Sequence, residues 1–222
     1  VALMPLLDVR NLTKDFGGLR ANDAISFALD KDELIGVIGP NGAGKTTFFN
    51  CIAGFYQIDE GTITLDGTAI HELRPDKIAR LGLARTYQNI RLFGGMTAAE
   101  NVLVGEHQHL QSNWFQAVLH TRSQQREEKE ALEEAHRLLD YVGLKGRHDL
   151  LARNLPYGDQ RRLEIARAMC TEPKLLCVDE PAAGLNPRET AELGPDVFVS
   201  MRMQPDEAAV PIDFHSGVPC SR

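Results

Sequence analysis

The stretch Leu34-Ile35-Gly36-Val37-Ile38-Gly39-Pro40-Asn41-Gly42-Ala43-Gly44-Lys45-Thr46 decides the fold. Its apolar start reads as a strand buried on both faces, and Lys45 to Ala53 reads as a helix that Gly54 can cap. Between them, Gly39 to Thr46 is a full match to the phosphate-cradling P-loop pattern, in the place that pattern requires. Glycines let such a loop turn backbone N–H groups inward around phosphate oxygens, and the following helix adds its positive end. The expected ATP contacts are Gly39, Pro40, Asn41, Gly42, Ala43, Gly44, Lys45, Thr46 and Thr47. Lys45 is expected to bridge the β- and γ-phosphates and Thr46 to offer its hydroxyl to Mg²⁺.

A second segment, Leu175-Leu176-Cys177-Val178-Asp179-Glu180, is an apolar strand ending in two carboxylates. Alone it would as readily be a strand entering a turn. Downstream of a P-loop it gains chemistry: one carboxylate can hold Mg²⁺, usually through water, and the other can polarise the attacking water. Asp179 takes the metal role and Glu180 that of general base.

Bulk properties agree with a globular protein of one domain with a subdomain. The 222 residues are 43% hydrophobic and 25% charged, and the net charge of −7 disfavours a nucleic-acid partner, which calls for clustered excess Lys and Arg. Cys51, Cys170, Cys177 and Cys220 show no CxxC spacing, so neither a zinc site nor a disulfide framework is expected. Val1 to Leu7 makes a poor signal peptide, and no apolar run approaches the ~20 residues of a membrane helix.

The order of elements is mixed α/β. Leu6 to Leu12 and Ala24 to Leu29 read as strands, and Gly61 to Gly67 as a short strand closed by a turn dipeptide. Thr97-Ala98-Ala99-Glu100 is a capping-box pattern. A helix follows from about Gln124 to Val142, with Ala131, Leu132, Ala135, Leu138, Leu139 and Val142 at helical spacing. A helical subdomain over about residues 90–170 is therefore expected between two α/β stretches.

Between P-loop and carboxylate strand lies Leu155-Pro156-Tyr157-Gly158-Asp159-Gln160-Arg161-Arg162-Leu163-Glu164-Ile165-Ala166-Arg167-Ala168. Read blandly, it is an amphipathic helix with Leu163, Ile165, Ala166 and Met169 in the core. The three segments in this order resemble the ATP-binding subunits of ABC transporters over roughly Leu6 to Leu193. The resemblance implies an α/β P-loop NTPase core with a parallel sheet, an N-terminal antiparallel β element and a helical signature subdomain. It also implies that Tyr157, Gly158 and Asp159 form part of a signature that meets the γ-phosphate of ATP held by a partner subunit. By the same resemblance Phe16 stacks on adenine, Gln88 senses Mg²⁺ and faces the membrane subunits, and Ala183 to Pro187 crosses the dimer interface. Without the resemblance, Phe16 would read as a core residue and Gln88 as a surface one. Arg85 to Gln88, Arg91 to Phe93, Tyr157 to Arg167 and Asp179 to Pro187 are most similar to importers of leucine, isoleucine and valine.

The resemblance implies a cytoplasmic ATPase, peripheral on the inner face of the membrane. Its implied partners are transmembrane permease subunits, a second ABC ATPase in a homo- or heterodimer and, indirectly, a solute-binding protein. Two other readings compete: a nucleotide-binding module with impaired hydrolysis, and an ABC ATPase of the repair or chromosome type. The latter needs a long coiled-coil insert, whereas only the Gln124 to Val142 helix is legible.

Three departures from the family pattern stand out. Pro156 stands where the family usually has Ser or another small residue, and it offers neither hydroxyl nor backbone N–H. Asn186 replaces an Asp, as the resembled subgroup also does. Beyond residue 194, where the ATPase domain is expected to end, residues 195–222 carry Pro195, Pro205, Pro211 and Pro219 and read as an irregular tail with no convincing strand, as a truncated or frameshifted product would have. In the family an apolar strand there ends in a switch histidine; His215 follows no such run and reads as a loop residue.

Overall fold

The computed structural model describes residues 4–37, 40, 42–86, 90–106, 122–178 and 196–200. Two compact units emerge. Among the described residues the first comprises 4–86, 173–178 and 196–200, and the second comprises 90–172.

The first unit holds two sheets. In one, β1 (Leu7–Phe16) pairs antiparallel with β2 (Leu19–Leu29) and β4 (Glu60–Leu65), and β4 turns at Asp66–Gly67 into β5 (Thr68–Ala69). The sequence places these strands correctly but cuts two of them short: polar residues such as Thr13, Lys14 and Asn22 hide strand that backbone pairing sustains.

The other sheet has the order β3-β8-β7-β6, from β3 (Leu34–Val37), β6 (Leu83–Arg85), β7 (Leu175–Val178) and β8 (Asp196–Ser200). β6 and β7 are parallel, whereas β8 runs antiparallel to both β3 and β7. The sheet is thus mixed rather than wholly parallel. β8 corrects the reading of the tail, because a strand follows Pro195 directly. Val197-Phe198-Val199 is a β-branched and aromatic run, and it fills a slot whose two flanking strands would otherwise present bare edges. The residues after Ser200, His215 included, lie outside the described residues.

β3 also departs from expectation. Ile35 and Val37 pack partly buried on the core, while Gly36 between them is exposed, so burial on both faces does not hold for β3. It holds for β7, which is buried at all four positions. Helix α1 (Lys45–Ile52) seats Phe48, Phe49, Cys51 and Ile52 in the same core. Each such side chain contributes about 1.5–3 kcal/mol when fully buried, enough to fix the helix that follows the P-loop. The short α2 (Pro75–Arg80) adds Ile78.

The second unit is helical. α3 (Ala98–Glu106), α4 (Arg122–Tyr141) and α5 (Tyr157–Met169) pack on one another, with a 3₁₀ turn at Ala152–Asn154 ahead of α5. Ala131, Ala135, Leu138, Leu139 and Val142 are buried as the periodicity requires, while Leu132 is exposed, one step off the packed stripe. α3 approaches α5 closely: a Cβ on Gly105 would lie 2.4 Å from the Arg167 carbonyl oxygen. Among the described residues no helix is long and apolar enough to cross a membrane.

Candidate functional site

Three chain segments leave the second sheet at the same edge. Register aligns Val37 of β3 with Asp196, and Val178 of β7 with Val197, so the carboxyl ends of β3 and β7 come level across one intervening strand. Two strand spacings put them about 10 Å apart. β6 ends there too, and its ladder with β7 gains a further bond from the Thr86 N–H to the Cys177 carbonyl at 3.0 Å. The P-loop therefore follows β3, Asp179 and Glu180 follow β7, and Gln88 comes two residues after Thr86, all from one edge. Carboxyl ends of parallel strands are where open α/β sheets bind ligands. Gly39, Asn41, Gln88, Asp179 and Glu180 themselves lie outside the described residues.

Within the P-loop, the Ala43 N–H donates to the Pro40 carbonyl at 3.1 Å, and Lys45 Nζ reaches back to the same carbonyl at 3.4 Å. Gly44 is the N-cap of α1 in the left-handed region, with φ 85°. A Cβ there would lie 2.2 Å from the Ala21 carbonyl oxygen, so glycine is required by both conformation and space. Asn22, buried on β2, donates from Nδ2 to the Gly44 carbonyl at 3.3 Å. Among the described residues no side chain caps α1 and no acid occupies its first turn, while Thr46 is exposed beside it. The positive end of this helix start favours an anion.

Arg85 Nη1 donates to Asn50 Oδ1 at 2.6 Å, and its guanidinium stands 5.7 Å from the Phe49 ring centroid. These contacts tie α1 to the strand that leads toward Gln88. Sequence reasoning recognised Arg85 only as part of a motif and missed Asn22 altogether, since a lone Asn in a strand carries no signal.

Phe16 ends β1 and is 42% exposed, so it is not a core residue. Tyr56 meets it edge-on at 5.3 Å between centroids, and Lys14 Nζ lies 5.3 Å from its ring centroid. Lys14 in turn pairs with Asp59 at 3.0 Å. The Asp15 N–H first and Lys14 second hold the Asp59 carboxyl below the usual carboxylate range. Burial pushes the thiol of Cys51, on α1, up to about 11. Cys51, Cys170 and Cys177 are all buried.

In the helical unit, α5 starts at Pro156, whose φ of −54° and ψ of 155° suit an N-cap and whose side chain offers no cap. Tyr157 is exposed and Gly158 half-buried, whereas Asp159 is buried. Leu163, Ile165, Ala166 and Met169 are core residues, as their spacing predicts. Arg161 and Glu164 are buried as well and pair at 3.0 Å, an interior pair that sequence alone reads as a polar face.

Residues 22–183 match the ABC transporter family. The chain belongs to that family. It is 50% identical over 189 residues, 85% of this chain and 74% of the relative, to the high-affinity branched-chain amino acid transport ATP-binding protein BraF of Pseudomonas aeruginosa. LivG of Escherichia coli K12, a protein of the same description, is likewise 50% identical with the same coverage. A solved structure, the ADP conformation of MJ1267, an ATP-binding cassette of an ABC transporter, superposes with a TM-score of 0.69 at 32% identity, covering 83% of this chain and 72% of that one. The α/β P-loop fold and the ABC ATPase class read from the sequence are those of these relatives.

Proposed function

We propose that the chain is the ATP-binding and ATP-hydrolysing subunit of an importer of branched-chain amino acids, cytoplasmic and peripheral on the inner face of the membrane. The observation that carries this is that β3, β6 and β7, the strands that precede the P-loop, Gln88 and Asp179-Glu180 in the chain, all end at one sheet edge. The names of relatives sharing half its residues support the solute class. Its partners are transmembrane permease subunits and a second ABC ATPase, identical or related, with a solute-binding protein acting indirectly.

Lys45 and the P-loop backbone hold the β- and γ-phosphates, and Phe16 offers its exposed ring to adenine. The Thr46 hydroxyl, the Asp179 carboxylate and the Gln88 amide are hard oxygen donors suited to Mg²⁺, which when bound offsets charge developing on the phosphates. Glu180 takes a proton from the attacking water as its oxygen bonds to the γ-phosphorus; the bond to the β–γ bridging oxygen breaks and ADP leaves with that electron pair. Tyr157, Gly158 and Asp159 act in trans, at the ATP of the other subunit.

A test uses cells that lack their own branched-chain ATPase but keep the permease and binding protein. The chain is expected to restore uptake of labelled leucine, and Lys45→Ala to abolish it. Nucleotide binding without any leucine uptake would contradict the solute assignment.

The direction of β8 favours a second reading, a module that binds ATP but hydrolyses it slowly. β8 begins, rather than ends, at the nucleotide edge, so Ser200 leaves from the opposite side, unlike the strand of the family pattern, which ends in the switch histidine. Steady-state turnover of the purified chain separates the two readings.

A further inference from the structure

Helix α5 carries an acid in its first turn, Asp159, whose side chain is 12% exposed and pairs with Arg147, itself 42% exposed. Arg147 sits in the connection after α4, held by its own N–H to the Leu144 carbonyl at 3.0 Å and by the Leu150 N–H to its carbonyl at 3.1 Å. Of the charges on the same helix, Arg161 pairs with Glu164 and stands over the Tyr157 ring.

The helix itself does not require this partner, because an acid in the first turn already interacts favourably with the positive helix end. A triphosphate does. A helix start presents roughly half a positive charge, and an uncompensated carboxylate beside it reverses the sign that an incoming phosphate meets. The arginine cancels that charge.

We propose that Arg147 is a positioning residue for ATP hydrolysis, neutralising Asp159 so that the start of α5 can receive the γ-phosphate of ATP bound by the second ATPase subunit. This inference rests on the signature role given to Tyr157, Gly158 and Asp159 above. Arg147 acts through Asp159 and touches no nucleotide in its own subunit.

The test uses the full chain carrying Glu180→Gln, so that ATP persists, and compares it with Arg147→Ala, Arg147→Lys, Asp159→Asn and the Arg147→Ala/Asp159→Asn double variant. Two quantities are read: Mg-ATP-dependent dimerisation by sedimentation, and binding of a fluorescent ATP analogue to the monomer. Arg147→Ala is expected to weaken the dimer about tenfold, the scale of one unscreened charge at partly buried range, and to leave monomer binding unchanged. Arg147→Lys should keep most of the dimer. Adding Asp159→Asn to Arg147→Ala should recover most of the affinity that Arg147→Ala loses.

A structural staple gives a different pattern, since removing both partners would repair nothing. A double variant as weak as Arg147→Ala, or a dimer indifferent to Arg147→Ala, overturns the charge argument while leaving the signature reading intact. A parent that binds ATP yet forms no ATP-dependent dimer, either with itself or with a related ATPase subunit, overturns the signature reading, and this inference with it.

Discussion

Helices α3 and α1 start in opposite ways, although both follow a turn and both bury an apolar face. At α3 the Thr97 hydroxyl accepts from the Glu100 N–H at 3.2 Å, and the Glu100 carboxylate accepts from the Thr97 N–H at 2.7 Å. Asn101, fully buried, bonds Phe93 through both its amide oxygen and its amide nitrogen. At α1 the N-cap is a left-handed glycine, no side chain returns to the backbone, and the first turn has no acid. The α3 start is closed by its own side chains; the α1 start has no side-chain cap among the described residues. The contrast separates a helix start that serves as scaffold from one whose positive end can take an anion.

The largest effect that could break this contrast is at Gly44. Gly44→Val must place a branched side chain at φ 85° with its Cβ 2.2 Å from a carbonyl oxygen, a strain of about 3 kcal/mol or more. Thermal melts should show a destabilised first unit, and nucleotide binding should disappear; a variant that still binds ATP would mean that the helix start does not set the site.

Next in size is the carboxylate pair. Glu180→Gln is expected to keep ATP bound while turnover falls about 100-fold or more, whereas Asp179→Asn should weaken the Mg²⁺ dependence. Equal loss of binding in both would mean the roles are misassigned.

The closed start offers the control. Thr97→Ala removes a cap worth about 1 kcal/mol, so it should lower the melting temperature and leave Mg-ATP affinity alone. Smallest is Pro156→Ser, which adds a hydroxyl at the start of α5 where the proline side chain makes no cap. Turnover is expected to rise a few-fold; an unchanged rate would show that the missing hydroxyl does not limit the reaction.

How much of this was legible in the sequence depends on how local the cause is. The P-loop, the capping box and the core stripe of α4 are patterns of near neighbours, and each lies where its spacing predicts. Burial is less local. Ile35 and Val37 look like β7's Leu175 to Val178 on paper, yet β3 is packed on one side and β7 on both, because burial is set by what lies opposite. β8 was missed because the prolines of residues 195–222 outweighed Val197-Phe198-Val199, and strand formation there depends on edges supplied by β3 and β7, residues far off in the chain. Asp159 was singled out as part of a signature, but its pairing with Arg147 joins two segments that only the packing of the helical unit brings together.

The central claim is that the open start of α1, with Lys45 beside it, is an ATP site, and equilibrium titration of Mg-ATP into the parent and Lys45→Ala tests it most directly. The parent should saturate at micromolar to millimolar nucleotide, as is usual for such sites, and the variant should lose most of that affinity while melting at the same temperature. Equal affinity in the two proteins would contradict the account.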